Sequence, residues 1–169
     1  FQVPSESPSH SDEPLTVAYT PGESTSHMFG GNSNWRGPVW MPVNFLIIEA
    51  LEKYSYFYGD ALQVEFPTGS GNQMNLRDVA LELSKRLIQL FVKNDAGLAP
   101  YHGGASSSLL CSSSNAERFH FHEYFHGDTG RGLGACHQTG WTALVALLLD
   151  KIARVGTSQD GVVGSQLSL

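Results

Sequence analysis

Two short stretches hold the residues whose types and spacing could do chemistry. In the first, Asn34-Trp35-Arg36-Gly37-Pro38-Val39-Trp40, two tryptophans flank an arginine and a Gly-Pro step. That mixture makes poor helix and good pocket lining. Indole faces stack on the apolar C–H faces of sugar rings, while Arg and Asn donors take hydroxyl oxygens. By residue type alone, Trp40 could equally staple the start of a helix to the core. In the second stretch, Glu123 lies among Phe121, Tyr124 and Phe125, with His122 and His126 close by. Aromatic surroundings disfavour a charged carboxylate unless it is paired, which is how acid–base groups are tuned. The commoner alternative is a glutamate that caps a turn or ion-pairs in a loop.

Other arrangements carry less. His120-x-His122-x3-His126, with Glu123 and Asp128, offers ligand types that zinc accepts, and so a metal-dependent hydrolase as one reading. The run His122-Glu123-Tyr124-Phe125-His126 carries the His-Glu-x-x-His spacing, but that pattern ligates zinc from one face of a helix, and this stretch lacks helical periodicity. Histidines also serve sugar pockets as hydrogen-bonding groups. Gly130-Arg131-Gly132-Leu133-Gly134 shares only its glycines with a phosphate-cradling loop, having no strand before it and no Lys-Ser/Thr after it. Cys136 stands beside His137, but adjacency does not make a dyad, and packing is its expected role. The serines have no nucleophile-elbow context.

These blocks need elements to hold them. From Asn44, the stripe Ile47, Ile48, Leu51, Tyr54 and Tyr58 predicts a helix, with Pro42 suited to its first turn and Gly59 to its end. A second helix is predicted from about Asn75, which caps it, with Asp78 in the first turn. Its apolar positions, Leu76, Val79, Ala80, Leu83, Leu87, Ile88 and Phe91, repeat at three and four. A third helix is predicted from near Thr139 through Trp141, Leu144, Val145, Leu148 and Ile152. Leu147 and Leu149 make it apolar nearly all round, which predicts burial.

Residues 1–28 read as a Pro- and Ser-rich linker or loop, in which Leu15, Val17 and Tyr19 alternate as in a short strand. Residues 94–138 lack helical periodicity and include Ser106-Ser107-Ser108 and Ser112-Ser113-Ser114, expected to form a mobile surface loop. Residues 156–169 are expected to be a flexible tail. Three helices, each preceded by a long loop, predict an all-α fold. If alternate helices are parallel neighbours, both aromatic loops lie at one end. That topology places Trp35, Trp40, Glu123 and Trp141 around one opening.

Composition narrows the function classes. The 169 residues suffice for one domain with a core. No apolar run approaches the roughly 18 residues of a spanning helix, which excludes a helical membrane protein. Ten Lys+Arg against 16 Asp+Glu give a net charge of -6, which argues against a nucleic-acid partner. Two cysteines are too few for a disulfide scaffold. The charged fraction is 15%, against about 25% for ordinary soluble domains, which suggests surface covered by something else. The chain is therefore expected to be a piece of something larger. It holds no Asn-x-Ser/Thr sequon, which favours a cytoplasmic over a secreted location.

Two blocks in order, Asn34-Trp-Arg-Gly-Pro-Val-Trp with Asn44 beyond it, and Glu123-Tyr-Phe-His-Gly-Asp-Thr-Gly followed by Gly140-Trp141-Thr142, resemble glycoside hydrolase family 63. The likeness is to the C-terminal part of the catalytic domain of that α-glucosidase family, over roughly residues 29–155. It implies part of an (α/α)6 toroid, whose helical hairpins form two rings with the sugar pocket at one end. It implies an inverting hydrolase without a metal or other cofactor, with two carboxyl groups about 6.5–9.5 Å apart and a water between them. In that pattern Glu123 is the general base, and Phe125 takes the aromatic position. Trp35, Arg36, Trp40, Asn44, His126 and Trp141 complete the pocket that holds the glycone. The implied partners are an oligosaccharide or α-glucoside and the remainder of the catalytic domain. The family's acidic Asp lies well upstream of the Trp-Arg-Gly block, and Asp12, between Ser11 and Glu13, is a poor substitute. The isolated chain is thus expected to lack turnover. A non-catalytic carbohydrate-binding or degenerate segment is the alternative that the missing acid favours. His126 stands where several relatives carry an acid, which leaves substrate preference open.

Overall fold

A computed structural model describes residues 2–3, 15–16, 18–24, 35–103 and 119–164. The two serine-rich pieces expected as a mobile loop lie outside these described residues, as do Asn34 and Val17.

Helix α1 spans Met41–Tyr58, three residues earlier than the apolar stripe suggested. Pro42 sits in its first turn, where a missing N–H costs nothing, and Gly59 ends it with φ +54°. Helix α2 spans Leu76–Gln89, and the Asn75 side chain accepts from the Asp78 N–H at 2.8 Å. Both helices were legible because their stop and start signals are local. Between them lies a hairpin that helical periodicity does not register: β3 (Gln63–Glu65) pairs antiparallel with β4 (Gln73–Asn75). Its turn is closed by Gly71 N–H donating to the Glu65 carboxylate at 2.6 Å. The backbone N–H groups of Gly71 and Gly69 hold that carboxyl below its ordinary pKa.

The third predicted helix is two helices. A single turn, α3 (Thr139–Thr142), is followed by α4 (Val145–Gly164), which continues beyond Gly156. The break has a tertiary cause. The Thr142 hydroxyl donates to the His122 carbonyl, and the Trp141 indole N–H donates to the Glu123 carbonyl at 2.9 Å. Both bonds tie the turn to the preceding loop. All-round burial of this region is also corrected. Val145 and Leu148 are buried, but Leu147 and Leu149 are half exposed. The α1 stripe divides in the same way, with Ile48 buried and Ile47, Tyr54 and Tyr58 exposed.

Helices dominate, yet short strands add to the all-α expectation. Besides β3–β4, Gln2–Val3 (β1) pairs with Leu15–Thr16 (β2), and Tyr124–Phe125 (β5) with Gly132–Leu133 (β6), all antiparallel. The main core joins Met41 and Ile48 of α1, Ala80 and Leu87 of α2, Val145 and Leu148 of α4, Phe91 and Tyr101 from the segment after α2, and Phe125 of β5. Trp40 and Trp141, just before α1 and α4, lie 6.0 Å apart by ring centroids. Lys151, farther along α4, pairs with Glu49 and Glu52 of α1. These two helices therefore run parallel from one end, with α2 returning to that end between them. Both aromatic loops meet there, as the topology predicted.

Candidate active site

A β-bridge joins the two blocks. Val39 and Phe125 exchange backbone hydrogen bonds of 2.8 and 2.9 Å. Beside this bridge, three rings form a stack. Trp35 lies on Trp40 with centroids 4.2 Å apart, and Trp40 lies on Tyr124 at 4.6 Å. Trp40 and Tyr124 are 3% and 2% exposed, whereas Trp35, at the top, is 55% exposed. The stack rests on buried rings and presents one indole to solvent. Trp40 packs, as its stapling role requires, and lies directly beneath Trp35.

Glu123 is half-buried at the edge of this platform. Its N–H donates to the Ala135 carbonyl at 2.8 Å, and its Oε2 accepts from the Ala135 N–H at 3.2 Å. The indole of Trp141 holds its carbonyl. Oε1 is left without a hydrogen-bond partner among the described residues. Gly134 makes this possible: with φ +66°, a Cβ there would stand 2.6 Å from Oε2 and 2.8 Å from the Tyr124 ring. The carboxylate is thus oriented by backbone through Oε2, while Oε1 makes no hydrogen bond among the described residues.

The remaining predicted residues separate into groups. Asn44 donates its amide to the Trp40 carbonyl at 2.8 Å, so it ties the Trp block to the start of α1. Phe125 is fully buried in the main core, beneath the site. Arg36 is exposed, and its carbonyl accepts from Thr20 N–H. His126 accepts at Nδ1 from the N–H groups of Asp128 and Thr129, at 3.2 and 3.4 Å. It lines a cavity of about 760 Å³ with Lys93, Thr129 and Arg131, and none of Trp35, Trp40, Glu123 or Trp141 borders that cavity.

Histidine placement bears on the metal reading. Among the described residues, no group of three His, Cys, Asp or Glu side chains is arranged to hold a metal ion. His120 and His122 instead join His102 and His137 around Tyr101. Burial, reinforced by the neighbouring histidines, pushes His122 down to about 4.

Sequence reasoning missed the contribution of residues 18–24. Gly127 N–H donates to the Pro21 carbonyl at 2.8 Å, and Tyr19 donates to Asp128 at 2.7 Å. Gly37 and Gly127 allow this backbone-on-backbone approach, since a Cβ on either would overlap a carbonyl of the neighbouring strand of chain. The segment also brings a carboxylate. Burial raises the pKa of Tyr124, and the charges of Glu23 and Glu123 raise it further. The Tyr-Thr-Pro-Gly-Glu run before the Trp block was the available signal, masked by its linker-like composition.

Loops from parallel helices that gather aromatics and one oriented carboxylate at a common end suit a domain acting on glycosides. Residues 9–142 match the family described as mannosylglycerate hydrolase MGH1-like glycoside hydrolase domain, and the chain belongs to that family. The hydrolase class that the two motif blocks resemble, related to glycoside hydrolase family 63, is thereby shown. An uncharacterized protein of Saccharomyces cerevisiae is 56% identical over 131 residues, covering 77% of this chain. The mannosyl-oligosaccharide glucosidase of the same yeast is 26% identical over 124 residues, covering 73% of this chain. The matched segment spans only 12% of the length of each of these relatives. No solved structure matches the chain.

Proposed function

We propose that the chain is the C-terminal segment of an inverting α-glucosidase-like hydrolase, supplying the general base and part of the sugar pocket. Its helices form part of an (α/α)6 toroid in this reading. Glu123 removes a proton from water through Oε1 as that water attacks the anomeric carbon. An acid on the opposite side of the glycosidic oxygen, from outside this segment, protonates the leaving group. Trp35 stacks on the glycone, supported by Trp40, while Arg36 and Trp141 border it. Asn44 ties the Trp block to α1 and Phe125 bonds across to Val39, while His126, three residues after the base, borders the neighbouring cavity with Lys93 and Arg131. The substrate is an α-glucoside or oligosaccharide.

The observation that carries this reading is the position of Glu123. It is a carboxylate anchored at one oxygen and open at the other, beside a rigid aromatic stack, in a chain of a glycoside hydrolase family. The test is Glu123→Ala in the full-length polypeptide bearing this sequence, assayed on an aryl α-glucoside. Hydrolysis should fall by about a thousandfold or more, as expected for loss of a general base and its water, while sugar binding persists. Undiminished turnover would remove Glu123 from the mechanism. Sugar binding with no turnover in the unsubstituted full-length protein would favour the non-catalytic carbohydrate-binding alternative.

A further inference from the structure

Residues 18–24 are held where the two chemical blocks meet. On one side, Thr20 N–H donates at 3.4 Å to the carbonyl of Arg36, which follows Trp35. On the other, Gly127 N–H donates to the Pro21 carbonyl at 2.8 Å, and the Tyr19 hydroxyl donates to Asp128 at 2.7 Å. Gly22 then lies against His126, where a Cβ would stand 3.2 Å from the imidazole Cδ2. These bonds and this contact fix the course of the chain as far as Gly22, and the next residue is Glu23. An ordinary surface loop keeps backbone freedom that this segment has given up. Its side chains are therefore delivered to a set place.

For Glu23 that place is beside the aromatic stack. Burial raises the pKa of Tyr124, and the charges of Glu23 and Glu123 raise it further. Both carboxylates thus lie within Coulombic reach of the ring on which Trp40 stacks. Two neighbouring carboxylates have internal partners: Asp128 accepts from Tyr19, and Glu123 accepts from Ala135 through Oε2. Glu23 is exposed and makes no hydrogen bond or ion pair among the described residues. It contributes no bond to the fold, yet the fold fixes the backbone that carries it.

We propose that Glu23 is a specificity residue of the sugar pocket, accepting hydrogen bonds from hydroxyls of a glycone stacked on Trp35. The identity of the ligand rests on the glycosidase reading. A pyranose that lays one face on an indole turns its hydroxyls outward around the rim. Arg36 offers donors only, so a hydroxyl recognised as a donor needs another group. A carboxylate is an acceptor with two oxygens, suited to a pair of neighbouring hydroxyls, and its charge strengthens both bonds. Glu123 does not fill this role in the same reading, because its Oε1 is committed to the attacking water.

The test reads binding rather than turnover. The parent is the full-length polypeptide bearing Glu123→Ala, so that no sugar is consumed. Calorimetric titration compares methyl α-glucoside with its monodeoxy analogues, in the parent and with Glu23→Ala added. The parent should bind at least one deoxy analogue about 30-fold more weakly than methyl α-glucoside, as for a lost hydrogen bond to a charged group. Glu23→Ala should weaken methyl α-glucoside by about the same factor and discriminate against that analogue by no more than about threefold. Glu23→Gln, which keeps one acceptor oxygen, should fall between. Unchanged affinity in Glu23→Ala overturns the proposal, as does weakened affinity with the discrimination of the parent intact for every analogue. A lowered melting temperature with that discrimination retained assigns Glu23 to the fold and also overturns it. Absence of binding by the parent itself would instead defeat the glycosidase reading, which requires binding to survive Glu123→Ala.

Discussion

Lowering the pH from 7 to 4 should destabilise the chain through His122. This imidazole is 8% exposed, its Nδ1 has no hydrogen-bond partner, and its neighbours are His120, His102 and His137 around Tyr101. No carboxylate contributes to its shift, so nothing offsets the cost of charging it in place. Its native pKa of about 4 lies below the ordinary imidazole value of 6.5 that the unfolded chain would show. The sign follows. Between these values the unfolded state holds one more proton than the native state, so stability rises with pH. The contribution is complete above the unfolded pKa and is lost as pH falls toward the native one. At 1.36 kcal/mol per pKa unit, the full loss is about 3 kcal/mol. Urea denaturation of the wild type and of His122→Phe at pH 7, 6, 5 and 4.5 isolates the effect. The wild type should lose stability more steeply, and a histidine-labelled NMR titration should place the His122 midpoint near 4. Parallel stability profiles for the two proteins, or an imidazole that titrates near 6.5, would refute the reasoning.

Two substitutions probe the same end of the fold. Gly132→Ala puts a methyl group into the His122 ring, well inside van der Waals contact. It should cost about 3 kcal/mol, the upper range for overpacking, read as a lowered urea midpoint with unchanged m-value. Trp141→Phe keeps an aromatic ring beside Trp40 but removes the indole donor to the Glu123 carbonyl. It should cost about 1 kcal/mol of stability and, on the proposed glycosidase reading, should lower kcat of the full-length protein more than it raises KM. A change confined to KM would mean that the indole serves sugar binding and not the placement of the base.

Much of the helical frame was legible because its determinants are local. Asn75 caps through its own side chain, and Pro42 and Gly59 bracket α1 through backbone geometry that no distant contact need supply. The two chemical blocks were legible for a similar reason, since residue type and short spacing carry them. What failed were inferences that needed partners. Periodicity could not divide residues 139–152, because the break is made by bonds to His122 and Glu123. It could not tell that Ile48 of the α1 stripe is buried while Ile47 and Tyr54 are exposed, because that depends on where α2 and α4 pack. His126 was grouped with His120 and His122 by proximity in sequence. The turn after β5 separates it from them and places it beside Lys93 and Arg131.

The amino-acid order by itself determined that the chain is mostly helical, where α1 stops and α2 starts, and which residue types its two aromatic blocks gather. Those properties arise from dihedral preference, capping and side-chain chemistry, all expressed within a few residues. Only the tertiary structure decided that Glu123 has one anchored and one open oxygen. Only it decided that Trp40 is buried so that Trp35 can be presented, and that residues 18–24 close against the site. Each of these depends on groups far apart in sequence meeting through the Val39–Phe125 bridge and the bonds of Ala135, Pro21 and Trp141. Such contacts are set by the packing of the whole, which no local window of residues contains.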